Sequence, residues 1–484
     1  MRAFTDNYLV LLRHSLQYLI ARGLPGLISF AALVIYTRLL TAEEFGIYAL
    51  IISGTTLAQV LLFQWLNLVV ARFLPLEKIT PNSVLGPTLA LFIALSILTS
   101  VAGLVAVLFF STSTATTLIT LAVPLCITQG WLELNLKIAS TQIQPRLYGN
   151  ILACKSIAAL FIGSSLALLG LMYYAPILGL IFGASLSWII FGRHIWKDTK
   201  PLWPEQKLLT DYASYGLPLA ITFALGWITS SSDRIILSWL INNGATGIYA
   251  AGYDLTQQSL GLLLVIVNTA AYPLVMRALT DGGPSAARQQ LKSNGELIIT
   301  VALTGAAGII ALQPYIINTI IGPEFRSEAG KILPWIAAGA AIAGIKAFHL
   351  DIAFQLARQS KWQAYIAGIT AAANIALNFV LIPKYGIVGS AASTLFSFLL
   401  AGTLSWGISR KIFPMPPLFP LILRSALVAV PTYLTASAVK IAEPSPGIGL
   451  ISGIATGVST ALAASFLLNV AEIRKKRRVK YNGA

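Results

Sequence analysis

The side chains most able to do chemistry in this sequence are a few ionisable residues that interrupt long apolar stretches. Hydrophobic residues make up 56% of the 484 positions and charged residues only 10%. Charges inside such stretches are costly in lipid, so they usually face a protein interior or an aqueous cavity, where they bind ligands, move ions or pair. The interrupting residues are Arg22, Arg38, Glu133, Lys137, Lys155, Asp233, Arg234, Asp254, Lys346, His349, Asp351 and Arg424.

Each of these residues also has a purely structural interpretation. Three cations lie close enough to the end of an apolar stretch to reach the membrane surface: Arg38, Lys137 and Lys155. Two pairs have a spacing that permits structural ion pairs: Asp233 with Arg234, and Lys346 with Asp351. For Arg424 we favour a helix-packing or interfacial role, and for His349 helix packing over a proton relay.

The apolar stretches predict an all-α polytopic membrane protein with about fourteen spans, since one span needs roughly twenty apolar residues. The mean hydropathy of +0.78 agrees with this class. Helices satisfy their own backbone hydrogen bonds in lipid, and the alternating pattern of an outer-membrane barrel is absent. The predicted spans are 17–40, 46–68, 84–110, 115–137, 148–171, 174–193, 214–240, 246–275, 296–321, 331–353, 362–382, 386–407, 418–438 and 447–469.

Lysine and arginine are concentrated in every second loop, which predicts the orientation in the membrane. The basic loops hold Arg72, Lys78, Arg146, Arg193, Lys197, Lys200, Lys207, Arg277, Arg288, Lys292, Arg358, Lys361, Arg410 and Lys411. The intervening loops at 111–115, 172–174 and 241–243 carry none. We therefore expect both termini in the cytoplasm and membrane lipids as partners of the protein. The net charge of +16 is attributed to this topology rather than to a nucleic-acid partner.

An internal repeat relates the two halves of the chain. Gly-Ile-Tyr-Ala at 46–49 recurs at 247–250, and Asn67 matches Asn268 at the same offset. The copies lie six predicted spans apart, so they share one orientation, as in parallel repeats with a pathway between them near the midplane. The predicted division is a bundle at 1–195, a cytoplasmic linker at 196–213, a bundle at 214–409, two extra spans at 410–470 and a basic tail at 471–484.

The last predicted span carries glycines at four-residue spacing, at 449, 453 and 457. Small residues at this spacing let two helices approach closely, and we expect the contact to lie within the chain.

Several short motifs resemble those of the polysaccharide transporter family, the Wzx-type O-antigen and exopolysaccharide flippases of the multidrug/oligosaccharidyl-lipid/polysaccharide (MOP) superfamily. They are Tyr-Thr-Arg-Leu-Leu at 36–40, Glu-Phe-Gly-Ile-Tyr-Ala at 44–49, Asp-Arg at 233–234, the asparagines at 374 and 378, and the segment 381–392. The resemblance spans roughly residues 15 to 410.

This resemblance implies a MATE-like fold of two six-helix bundles plus two C-terminal helices. It implies a flippase of the bacterial inner membrane, working by alternating access. The cargo would be an undecaprenyl-pyrophosphate-linked oligosaccharide for O-antigen or exopolysaccharide synthesis, carried from the cytoplasmic to the outer leaflet. Glycan polymerase machinery is a candidate partner. No cofactor is expected, while coupling to H⁺ or Na⁺ stays open.

The pyrophosphate of such a cargo is anionic, so we expect cations in the pathway. A guanidinium group suits this role because it binds two phosphate oxygens at once. Arg22 and Arg234, in corresponding spans of the two halves, are the first candidates, followed by Lys155 and Lys346. The candidates for ion coupling are Asp254, Asp351 and Glu133, whose pKa a low-dielectric cavity could raise, with structural pairing as the alternative. The aromatics that could stack on sugars, or simply pack, are Trp131, Trp227, Tyr253 and Trp335.

Two other function classes compete with the flippase. A multidrug-type cation antiporter would need a net acidic cavity, whereas the intramembrane cations at least equal the acids. A polymerase or ligase would need a large extracytoplasmic loop, and all predicted outer loops are short. The sequence has no His-Glu-x-x-His or Gly-x-x-x-x-Gly-Lys motif, so no enzyme is expected. The two cysteines, Cys126 and Cys154, have no metal-binding spacing and are interpreted as buried apolar residues.

Overall fold

A computed structural model describes residues 23–76, 82–109, 113–442 and 445–472 of the protein, and this part of the chain is helical without strands. The helices are α1 (Gly23–Leu39), α2 (Ala42–Leu62), α3 (Gln64–Phe73), α4 (Asn82–Phe109), α5 (Ser113–Thr141), α6 (Pro145–Leu168), α7 (Tyr174–Ser187), α8 (Gln206–Leu240), α9 (Asn243–Thr256), α10 (Leu262–Ile320), α11 (Arg326–Ile345), α12 (Ile352–Leu356), α13 (Lys361–Ile412), α14 (Leu418–Ala442) and α15 (Pro446–Leu467).

Ten helical segments of the described residues are long and apolar enough to cross a membrane. Two of them, containing α10 and α13, reverse direction at a glycine in the left-handed region, Gly283 (φ 70°) and Gly386 (φ 58°). The reversal in α10 forms a hairpin in which Asn294 Nδ2 donates to the Ala271 carbonyl at 2.7 Å. Each of these two hairpins accounts for two predicted spans, so the ten segments account for twelve. Together with α1 and α8 they correspond to the fourteen predicted spans. The all-α polytopic class is confirmed.

Local sequence signals set several helix ends. A capping box forms at the start of α2: Glu44 N donates to Thr41 Oγ1 at 3.2 Å, and Thr41 N donates to Glu44 Oε2 at 2.9 Å. Such reciprocal bonds satisfy two amide donors that a helix start leaves unpaired. Pro145 occupies the first turn of α6, where its missing N–H does no harm.

The outer faces of the helices are apolar. Large hydrophobic side chains are exposed along several helices, and they include Leu104, Leu108 and Phe109 on α4, Phe419 on α14, and Ile451 and Leu462 on α15. Exposed apolar surface of this extent is unfavourable in water and favourable in a bilayer. The protein is therefore a multi-pass membrane protein.

The first compact unit contains the described residues up to Ser238 together with Asn242–Gly247. One apolar cluster of this unit joins α3, α4, α5 and α8, with Leu66 and Tyr212 fully buried. Gly216 of α8 lies so close to α3 that a Cβ there would be 2.9 Å from the Trp65 carbonyl oxygen. Because α8 packs on α3 in this way, the unit extends past the expected linker at 196–213.

The second compact unit contains Trp239–Ile241 and the described residues from Ile248 onward. Here α15 packs on α10 through two of its glycines: a Cβ at Gly449 would be 2.5 Å from Tyr315 Cε1, and one at Gly453 would be 2.3 Å from Leu312 Cδ2. Gly457 faces Ala436 of α14 at ordinary contact distance. The predicted close-packing face is confirmed as a contact within the chain.

A buried glutamate fixes the C-terminal helices to α10. Glu296 is 2% exposed, and its Oε1 lies 2.9 Å from Arg424 Nη1 of α14. Its Oε2 accepts a hydrogen bond from Ala471 N at 3.1 Å, and Arg424 Nη2 donates to the Leu468 carbonyl at 3.0 Å. We call these contacts the C-terminal latch. They confirm Arg424 as a helix-packing residue.

Candidate functional site

The first compact unit encloses a cavity of about 340 Å³ whose lining is rich in polar side chains. We call it the polar pocket. Its polar lining consists of Tyr48, Thr55, Thr56, Gln59, Gln64, Gln129, Glu133 and Lys155. Side chains of α2, α3, α5 and α6 thus meet in one cavity within a unit whose outer surface is apolar.

Helical periodicity explains how these side chains come to share a face. Thr55 and Gln59 are four residues apart on α2, as are Gln129 and Glu133 on α5, so each pair lies on one side of its helix. The helical path of α2 breaks at Phe63, which has φ −117°, and α3 begins at Gln64. Because of this break, an amide from α3 reaches the same cavity.

Close helix packing places Lys155 at the pocket. Gly183 of α7 approaches α6 so closely that a Cβ would lie 2.7 Å from the carbonyl oxygen of Lys155. Small residues permit such a backbone approach. The α6 and α7 helices are held as a tight pair, and the Lys155 side chain enters the cavity from α6.

Two buried polar atoms at the pocket have no hydrogen-bond partner among the described residues. They are Thr55 Oγ1 and Gln59 Nε2, on residues that are 4% and 7% exposed. Burying a polar group without a partner costs roughly 1–3 kcal/mol by mutational estimates, and more in lipid, where water is scarce. The polar pocket is where these atoms can meet water or a ligand.

Of the predicted site residues in the first unit, the structure brings Lys155 and Glu133 together in the polar pocket. Arg234, on α8, lies outside that pocket and is 7% exposed. Its amide donates to Asp233 Oδ1 at 2.9 Å, and its carbonyl accepts from Thr246 Oγ1 at 3.3 Å. Arg22 lies outside the described residues.

In the second unit, Lys346 Nζ lies 2.6 Å from Asp351 Oδ2, so the ion-pair alternative for these residues is realised. Asp351 Oδ1 also accepts from Ser405 Oγ at 2.8 Å. The pair spans a π-helical turn, Lys346–Leu350, and π-helical turns often mark functional positions. Asp254 is half-buried on α9, and its role in ion coupling stays a prediction.

His349 lies in the same π-helical turn and is a packing residue. It is 1% exposed, and Gly295 faces its ring so closely that a Cβ would lie 2.3 Å from Cε1. Neither ring nitrogen has a hydrogen-bond partner among the described residues.

The aromatic candidates differ in their surroundings. Trp131 belongs to a ring cluster, with its centroid 4.9 Å from those of Phe92 and Trp196 and 5.9 Å from that of Trp188. Trp131 also lines a cavity of about 590 Å³, so stacking on a sugar stays a prediction for this residue. Tyr253 stacks on Tyr249 at 6.0 Å, while Trp227 and Trp335 are half-buried.

The glutamines and threonines of the polar pocket are not among the residues predicted from the sequence. Neutral amides interrupt an apolar stretch less than charges do, so they are harder to recognise. The signal was nevertheless present, because Thr55 and Gln59 on α2, and Gln129 and Glu133 on α5, are polar residues four apart within apolar spans.

Comparison with known proteins identifies the family. Residues 11–279 match the family model described as Polysaccharide biosynthesis protein, more than half of the chain. The chain belongs to this family. The family membership expected from the sequence motifs is thereby confirmed.

Two proteins similar to this chain are named as flippases. It is 25% identical to the probable lipid II flippase MurJ of Rhizobium meliloti over 287 residues, which are 55% of this chain and 53% of that protein. It is 23% identical to the probable low-salt glycan biosynthesis flippase Agl15 of Haloferax volcanii over 205 residues, 41% of each chain. The chain thus spans about half the length, or less, of the curated relatives it matches. Membership in a family with such relatives supports a transporter rather than an enzyme.

The fold agrees with a solved structure over nearly its whole length. The inward closed conformation of a lipid II flippase MurJ superposes with a TM-score of 0.74, covering 93% of this chain and 98% of that one. Identity over the superposed residues is 18%, so the comparison establishes the fold.

Proposed function

We propose that this family member is a flippase that moves a lipid-linked oligosaccharide from the cytoplasmic to the outer leaflet of the bacterial inner membrane. The observation that carries the proposal is the polar pocket. An amide-rich cavity containing one lysine and one glutamate, inside an apolar helical unit, gives a polar head group a place at membrane depth. The named flippases among its relatives support the same activity.

The proposed cargo is an undecaprenyl-pyrophosphate-linked glycan for O-antigen or exopolysaccharide synthesis, and the proposed mechanism is alternating access. Phosphate oxygens would be bound by cations along the pathway, with Arg22 and Arg234 first and Lys155 and Lys346 second. The presence of Lys155 in the polar pocket supports its assignment. Lys346 would exchange its partner Asp351 for phosphate.

Ion coupling is proposed for Glu133, Asp254 and Asp351, with H⁺ or Na⁺ as the ion. A carboxylate at membrane depth can change its charge or bind a cation as the local dielectric changes. Glycan polymerase machinery remains the proposed protein partner.

The proposed architecture is two parallel six-helix bundles with an appended pair, and both termini in the cytoplasm. Alternation of basic and non-basic loops supports this orientation. Single cysteines at Asn243 and Ser285 should react with a membrane-impermeant thiol reagent from opposite sides. Labelling of both positions from one side would refute the orientation.

The activity can be tested by deleting the gene in the native host and locating the lipid-linked glycan. Accessibility to an impermeant glycan-modifying enzyme in spheroplasts reports the leaflet. We expect the glycan to accumulate on the cytoplasmic side, and the wild-type gene to restore it to the outer side. Equal distribution between leaflets with and without the gene would exclude the flippase.

The phosphate assignment is tested in the same strain with Arg22→Ala and Arg234→Ala. Each variant should reduce flipping at least tenfold at normal protein abundance, because a bidentate phosphate contact is lost. The control is Arg277→Ala, whose exposed partner Asp281 lies 3.3 Å away on the same helix. Wild-type flipping in both test variants would show that these arginines do not bind the cargo.

A further inference from the structure

The functional groups lining the polar pocket match those that bind sugar hydroxyls. Three glutamines provide amides, each able to donate through its NH₂ group and to accept through its oxygen. A sugar hydroxyl likewise donates and accepts. We propose that the polar pocket binds one neutral sugar residue of the lipid-linked glycan, an inference that rests on the proposed flippase function.

The unpartnered atoms point to a ligand with both kinds of hydrogen-bonding group. Gln59 Nε2 is a donor that needs an acceptor, and Thr55 Oγ1 can serve as donor or acceptor. Both belong to α2, four residues apart, so they present a fixed pair of groups to the cavity. Two neighbouring hydroxyls of a sugar ring would satisfy this pair.

The volume limits how much of the glycan can enter. At about 340 Å³ the polar pocket lies at the lower end of small-molecule sites, which occupy about 300–1,000 Å³. This space accommodates a single ring rather than an oligosaccharide. The remaining sugars of the cargo must therefore lie outside it.

The charges in the polar pocket select against acidic sugars. Lys155 and Glu133 both line the cavity, so a cation and a carboxylate stand there together. A uronic acid entering the cavity would bring a second carboxylate near Glu133, and like charges at close range are unfavourable. A neutral sugar meets no such repulsion and can still bond to both charged groups.

The test compares two lipids that differ by one sugar. Full-length protein in nanodiscs is titrated with undecaprenyl pyrophosphate and with undecaprenyl-pyrophosphate-linked N-acetylglucosamine, and bound lipid is counted by native mass spectrometry. Wild-type protein should bind the sugar-bearing lipid at least tenfold more tightly. In the double variant Gln59→Leu/Gln129→Leu this difference should disappear.

A second variant separates binding from folding. Thr55→Val preserves side-chain shape and removes the unpartnered hydroxyl, so the thermal stability should be equal or higher while affinity for the sugar-bearing lipid falls. The matched control is Gln313→Leu, which removes a half-buried glutamine of the second unit that donates to the Gly330 carbonyl at 3.0 Å. This control should retain the full difference between the two lipids.

The outcomes distinguish the inference from the function on which it rests. If wild-type protein binds both lipids but the pocket variants keep the sugar preference, the polar pocket is a hydrated space and the inference is wrong. Equal wild-type affinity for the two lipids also overturns it, while leaving the flippase intact. If wild-type protein binds neither lipid, both the inference and the proposed cargo fail.

Discussion

Gly46 and Gly247, which occupy the same position in the two copies of the internal repeat, contact each other within the first compact unit. A Cβ at Gly46 would lie 3.1 Å from Gly247 N and 1.8 Å from the Asn243 carbonyl oxygen. A Cβ at Gly247 would lie 2.0 Å from the Ala42 carbonyl oxygen. The repeated glycine is thus explained by a backbone crossing that excludes any side chain.

This crossing predicts that Gly46→Ala and Gly247→Ala destabilise the protein, each by about 1–3 kcal/mol, because the added methyl must displace backbone atoms. Detergent-solubilised variants would show it as a lower Tm, measured by size-exclusion chromatography after heating. Gly54→Ala is the matched control on the same helix, since a Cβ there has nothing within 4 Å. Equal Tm values for Gly46→Ala and Gly54→Ala would contradict the crossing.

The C-terminal latch predicts a stability loss for Arg424→Ala. The variant leaves the buried Glu296 carboxylate with the Ala471 amide but without its cation, which should lower stability by about 1–3 kcal/mol. The effect is smaller than for a fully buried pair because the Arg424 side chain is 45% exposed. Adding Glu296→Gln to this variant removes the uncompensated charge and should recover part of the loss.

The control for the latch is again Arg277→Ala. Both side chains of the Arg277–Asp281 pair are exposed, and exposed pairs contribute about 0–1 kcal/mol to the free energy of unfolding. Thermal melts of the three variants and the wild type make the comparison. An Arg424→Ala melt no different from that of Arg277→Ala would show that the latch does not stabilise the fold.

The Lys346–Asp351 pair allows the structural and functional roles to be separated. Replacing both residues by apolar ones, Lys346→Met with Asp351→Leu, removes both charges from a mostly buried site and should leave protein abundance near normal. If the pair serves phosphate binding or ion coupling, as proposed, glycan flipping should fall below about a tenth of wild type, a transition-state loss of about 1.4 kcal/mol or more.

Abundance by immunoblot and flipping by the leaflet assay give the two measurements for this pair. The single variant Lys346→Met, which strands the Asp351 carboxylate, should reduce abundance as well. Near-normal flipping in the double variant would assign the pair to structure alone.

The spans followed from the sequence because hydropathy in lipid is a strong and local constraint. The capping box at Thr41 can be recognised in the sequence because it depends on a three-residue spacing. The packing role of Arg424 was predicted because this charge lies outside the internal repeat. The break at Phe63 was not predicted, because the residues on both sides are apolar and the predicted span at 46–68 runs through it.

The candidate site was predicted only in part. Glu133 and Lys155 stood out as charges, but their common cavity depends on α5 and α6 packing beside α2, a long-range relationship that no short motif encodes. The amides that complete the polar pocket are neutral, so hydropathy hardly marks them. The extent of the first compact unit depends likewise on a tertiary contact, between Gly216 and Trp65.

The reversal of α10 at Gly283 has a consequence for the charges that flank it. The two arms meet at Gly283 and are bonded to each other between Asn294 and Ala271, so this connection is a tight helical hairpin. Arg277 and Arg288 lie on the two helical arms of this hairpin, six residues before and five residues after Gly283. Anionic lipid head groups would attract these two cations. The cations would then set how deeply the hairpin, and the second unit with it, enters the bilayer.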